Sequence, residues 1–115
     1  MLFAAKEGHA EVVRVLLDAG SAVDAADEDG CRALHLAAEY GHTEAVQLLL
    51  GAGSAVDTAD GADRRALHWA AENGHAEVVR LLLGAGADPQ SSLALAVEEG
   101  HHEIAQLLRD AGAAN

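Results

Sequence analysis

Apolar residues in this chain come in short paired runs, set apart by glycines and acidic stretches. Between Asp27 and Ala59, Leu34, Leu36, Ala37 and Ala38 predict a short helix. It ends at Gly41, where a left-handed residue turns the chain at little steric cost. Val46, Leu48, Leu49 and Leu50 predict a second helix almost at once, with Glu44 at the positive end of its dipole. Gly51 and Gly53 stop it. The stretch from Ser54 to Gly61 is too polar and glycine-rich for a helix and predicts an extended arm closing in a turn. Neither helix is long enough to hold alone in water, so the units have to stack.

The pattern returns. Gly8-His9-Ala10-Glu11 recurs as Gly41-His42-Thr43-Glu44 and Gly74-His75-Ala76-Glu77, 33 residues apart each time. A fourth copy, Gly100-His101-His102-Glu103, follows after 26 residues. Self-similarity on this scale predicts a solenoid whose units touch only their neighbours. The chain reads as one domain, 1–115, with repeats near 1–26, 27–59, 60–89 and 90–115. The first unit begins inside its first helix, at Leu2-Phe3-Ala4-Ala5. The last has no room for a full finger between Gly86 and Leu93, so Asp88-Pro89 is expected to lead straight into a helix. It also has Arg109 where the others have Leu17, Leu50 and Leu83, and the end units are read as caps of a complete array.

These residues resemble the ankyrin repeat along essentially the whole chain. The family's Thr-Pro-Leu-His-x-Ala motif appears as Arg32-Ala33-Leu34-His35-Leu36-Ala37 and Arg65-Ala66-Leu67-His68-Trp69-Ala70. Its Gly-Ala-Asp-Val-Asn segment appears as Gly53-Ser54-Ala55-Val56-Asp57 and Gly86-Ala87-Asp88-Pro89. The resemblance implies an all-α solenoid of helix-turn-helix units with short β-hairpin fingers. Both internal units carry Arg-Ala in place of Thr-Pro. Loss of a helix cap typically costs about 0.5–2 kcal/mol, and Asp29 or Asp63 is the candidate substitute.

Half of the chain is hydrophobic but only 3% is aromatic, so alanine, leucine and valine must build the core. The net charge of −12 opposes nucleic-acid backbones and anionic membranes, and it weakly favours a partner with a basic surface. The single cysteine, Cys31, excludes an internal disulfide and fits a reducing compartment, cytoplasmic or nuclear. No signal peptide and no apolar run of about 18 residues is present, so the reading is soluble, with a monomer favoured.

Chemistry is sought mainly among seven histidines. His9, His42, His75 and His101 fall in successive units, about 8–10 Å apart. One zinc ion needs each ligand nitrogen within about 2 Å, so they do not form a shared site. The resemblance gives His35 and His68 a hydrogen-bonding role between adjacent repeats. His101-His102-Glu103 leaves a weak metal site open. Cys31 has the setting of an ordinary thiol near a finger base. There is no nucleophile elbow, phosphate loop or dinucleotide fingerprint. No enzyme, metal or cofactor is expected.

What the resemblance implies instead is binding of a protein in a concave groove made by finger tips and first helices. Carried over to this chain, the finger positions are Glu28, Asp29 and Cys31, then Gly61, Ala62 and Arg64. The helix positions are Glu39, Tyr40, Glu72 and Asn73, flanked by Lys6 and Glu7 on one side and Glu98 and Glu99 on the other. Tyr40 is the candidate aromatic anchor. Trp69, which replaces Leu36 at an apolar position, is expected in the core. The alternatives are a selected or engineered scaffold without natural ligand, self-association, or a metal- or small-molecule-responsive protein.

Overall fold

Residues 1–113 are described by a computed structural model. Among the described residues, eight α-helices run α1 (Leu2–Glu7), α2 (Ala10–Asp18), α3 (Ala33–Glu39), α4 (Thr43–Gly51), α5 (Ala66–Glu72), α6 (Ala76–Gly84), α7 (Leu93–Glu98) and α8 (His102–Asp110). They form four antiparallel pairs. The first helices α1, α3, α5 and α7 pack side by side in one row, and α2, α4, α6 and α8 in a second. The resulting body measures 43 × 24 × 21 Å.

The first row packs through alanine. Ala5, Ala37, Ala38, Ala70, Ala71 and Ala96 are fully buried, which lets these short helices approach closely. The second row is bulkier, with Val13, Val46, Leu49, Val79, Leu82 and Leu108 sealed inside. Helices of six to nine residues have too few internal hydrogen bonds to stand alone, so this shared core holds each in place. The pairs at the two ends have one neighbour each, and Phe3, Val12, Val15 and Val97 remain exposed on them.

The Gly-His turns lock neighbouring pairs together. The Nε2–H of His42 donates to the Lys6 carbonyl at 2.8 Å, and that of His75 to the Glu39 carbonyl at 2.9 Å. His101 does the same to the Glu72 carbonyl at 3.0 Å. Since a carbonyl can only accept, each of these rings carries its proton on Nε2. The turn glycine is constrained twice. Gly41 has φ of 74°, and a Cβ built on it would lie 2.6 Å from Nδ1 of His75. Gly8 stands in the same relation to His42.

The helix starts are not capped by Asp29 or Asp63, as the sequence led us to expect. His35 and His68 do part of that work instead: each Nδ1 accepts the N–H of the residue three before it, Arg32 or Arg65, at 2.9 Å. Each arginine also ties its helix to the base of the preceding arm. Nε of Arg32 donates to the Asp24 carbonyl at 3.0 Å, and Nε of Arg65 to the Asp57 carbonyl at 2.9 Å. The Arg-Ala motif therefore exchanges a threonine cap for a link between units.

The fingers are shorter than the hairpins implied by the family. Among the described residues there is no β-strand, only an isolated antiparallel bridge between Ala26 and Arg32. Tight turns close both tips: Asp27 N–H donates to the Cys31 carbonyl at 3.0 Å, and Asp60 N–H to the Arg64 carbonyl at 2.8 Å. In place of a third finger, a 3-10 turn over Gln90–Ser92 runs from Pro89 into α7.

Replacing Gly41 by alanine is expected to destabilise the chain by at least about 1–2 kcal/mol, the usual cost of a left-handed non-glycine residue. Ring overlap adds to this. In a His75→Ala background the steric part disappears, so the cost of Gly41→Ala falls. Denaturant unfolding of the four-variant cycle measures the difference, and equal costs in both backgrounds would contradict the ring contact.

Candidate functional site: the cleft between two finger tips

The tips of the two full fingers meet backbone to backbone. Gly61 N–H donates to the Asp29 carbonyl at 2.7 Å, and a Cβ on Gly61 would lie 2.5 Å from that oxygen. Only glycine permits this approach. Beside the junction lies an open cleft of about 720 Å³, bounded by Glu28, Asp29 and Cys31 of one tip and by Asp60, Gly61 and Ala62 of the next. Trp69, from the first turn of α5, completes its wall.

Asp60 organises this wall. Its side chain is only 8% exposed, and Oδ1 accepts the N–H groups of Ala62 at 2.9 Å and Arg64 at 3.0 Å. Oδ2 accepts the indole N–H of Trp69 at 3.0 Å and lies 3.9 Å from the Cys31 sulfur. Burial alone would raise its pKa, but the bonds from Arg64, Trp69 and Ala62 together hold the carboxyl below its ordinary value. Asp27 braces the preceding tip in the same way, with Oδ1 accepting the N–H groups of Asp29 and Cys31 at 2.9 Å. Burial, reinforced by Asp27, Asp60, Asp29 and Glu39, pushes the Cys31 thiol upward. The cleft is thus a region of negative potential, and its thiol stays protonated at neutral pH.

Of the residues proposed from the sequence, Glu28, Asp29, Cys31, Gly61 and Ala62 converge on this cleft. Arg64 stands next to it: its guanidinium lies 4.2 Å from the centre of the Trp69 ring and forms an ion pair with Glu72. Asn73 is engaged locally, its Nδ2 donating to the carbonyls of Glu39 at 3.2 Å and Trp69 at 3.0 Å. Tyr40 is 47% exposed in a separate cluster, near the His42 ring and 5.9 Å from the Lys6 ammonium. Glu7, Glu98 and Glu99 are exposed on the end units and take no part in the cleft.

Trp69 departs from expectation, since it is half-buried on the cleft wall and not in the core. Phe3, Leu36 and Leu95 hold the equivalent places in the other first helices, and none of the four is fully buried. The apolar character of this position marks a row that is half-buried at Leu36, Trp69 and Leu95, while the alanines beside it do the packing. Asp60 was also missed. Its signal was the recurrence of Asp27 after 33 residues at the start of each tip.

His68 links the site to stability. Its Nδ1 accepts the Arg65 N–H, and its Nε2 lies 3.0 Å from the Ser91 hydroxyl. Burial first, then Arg64 and Arg65, lower its pKa from the ordinary 6.5. The unfolded chain therefore takes up a proton near pH 6.5 while the folded chain resists it, so stability is full above that pH and falls below it. Melting temperatures should decline as pH drops from 6.5, and His68→Gln should flatten part of that slope. Identical pH profiles for both proteins would contradict the assignment.

A family model described as ankyrin repeats, in three copies, matches residues 1–92 and 54–115. A comparison with curated proteins finds no match. Among the described residues no helix is long and apolar enough to cross a membrane. The matched segments together span the chain, and the paired helices, the Gly-His turns and the motif histidines supply the physical reason: this chain belongs to the ankyrin repeat family.

Proposed function

We propose that the chain is a non-enzymatic protein-interaction module that holds a partner segment along the groove formed by its finger tips and first helices. Ankyrin repeats in general serve protein–protein interaction. The observation that carries the reading here is the open cleft, where apolar surface of Trp69 meets acidic side chains on a framework pinned by backbone hydrogen bonds. A wall already fixed loses little conformational entropy on binding. Tyr40 and the row of Leu36 and Trp69 extend the contact surface beyond the cleft. The partner carries a basic surface, steered by the net charge of −12. A chain with one thiol and no disulfide suits the reducing cytoplasm or nucleus.

Affinity capture from cell extract tests this. Tyr40→Ala and Trp69→Ala are each expected to lower recovery of the bound protein by about tenfold, in line with aromatic hot spots. Gln47→Ala, on the exposed side of α4, should leave recovery unchanged, and raised salt should weaken it. Recovery that survives both groove substitutions but is lost with Gln47→Ala would place binding on the opposite face.

A further inference from the structure

We propose that the cleft between the finger tips is a subsite for one arginine side chain of the partner. This deepens the groove reading and rests on it. Three observations combine. First, Glu28 and Asp29 are exposed at the rim, and among the described residues neither carboxylate has a cationic partner. Glu11, Glu44, Glu72, Glu77 and Glu103 are in ion pairs with Arg14, Arg64 or Arg80, whereas Glu28 and Asp29, like Glu7, Glu98 and Glu99 on the end units, have no such pair among the described residues. The cleft is thus a place where acidic groups stand without a countercharge.

Second, much of the wall beside those carboxylates is apolar or backbone, made by Gly61, Ala62 and the Trp69 indole, with the Cys31 thiol and the Asp60 carboxylate completing it. An aliphatic stem fits such walls, and a charged end reaches the rim. Third, this indole already accepts a guanidinium, since Arg64 stacks over it at 4.2 Å. Arg64 does not line the cleft, so a guest meets indole surface that Arg64 leaves uncovered. A planar guanidinium uses both features at once, stacking on the ring and pairing with carboxylates in a way that an ammonium does not. Burial is the main cause of the raised Cys31 pKa, and the further contributions of Asp27, Asp60 and Asp29 agree with the negative field this requires.

Trp69 is the only tryptophan and Cys31 the only cysteine, so both report on this cleft alone. The test titrates the folded chain with an acetylated, amidated Gly-Ala-Arg-Ala-Gly peptide and with its citrulline counterpart, which keeps the shape and lacks the charge. The arginine peptide should shift Trp69 fluorescence saturably and slow alkylation of Cys31. The citrulline peptide should bind at least about tenfold more weakly, and so should the arginine peptide to the Glu28→Gln, Asp29→Asn double variant. Both replaced side chains are exposed, so that variant folds, which its unfolding curve verifies. Equal binding of the two peptides, an unchanged double variant, or no Trp69 response overturns the arginine subsite. A captured partner still sensitive to Tyr40→Ala but indifferent to Glu28→Gln, Asp29→Asn would sink the subsite and leave the groove standing. Loss of both sensitivities would sink both.

Discussion

In every Gly-His turn after the first, the imidazole reaches across to the backbone carbonyl that ends the preceding first helix, and the arrangement of the whole array depends on this bond. It recurs at all three junctions, His42 to Lys6, His75 to Glu39 and His101 to Glu72, at 2.8–3.0 Å. A carbonyl at a helix end has no partner within its own helix, so the ring satisfies a group that would otherwise need water. Gly8, Gly41 and Gly74 are each required both by their own left-handed backbone and by the next unit's histidine. Register between neighbours is therefore fixed by shape as well as by hydrogen bonding.

The cleft follows from that register. With the helix pairs held in step, the tips of successive fingers arrive close enough for Gly61 to bond Asp29, and each arginine of the altered motif fastens its helix to the arm before it. Asp60 then orients Trp69 through a single carboxylate shared between the turn and the indole. Stability and binding surface are thus built from the same contacts. His42, His75 and His101, which looked like candidate ligands by number, are structural because Nε2 of each ring faces a backbone carbonyl of a neighbour.

Much of the fold was legible because it is periodic. Leu34 to Ala38 and Val46 to Leu50 gave the helices, and the glycines gave their ends. The motif histidines were expected to join neighbouring repeats, and His35 does reach the Thr58 carbonyl at 2.8 Å. Their second task, receiving the N–H of Arg32 or Arg65, was not legible because the sequence offered nearby aspartates as more familiar caps. Candidate residues of both tips did converge, but Trp69 was misplaced. On a helix of seven residues, an apolar side chain between buried alanines can face either inward or along the row of neighbouring helices, and hydrophobicity alone does not distinguish the two. Ion pairing of Arg64 with Glu72 depends on the finger folding back over α5, which no local pattern encodes.

If the junctions couple as tightly as these contacts imply, the four helix pairs cannot unfold separately. Equilibrium unfolding in urea, followed at once by Trp69 fluorescence in the third pair and by far-ultraviolet circular dichroism of the whole chain, measures this directly. The two curves should superimpose in midpoint and steepness. Separate midpoints, with helicity lost while the Trp69 environment persists or the reverse, would contradict this coupling.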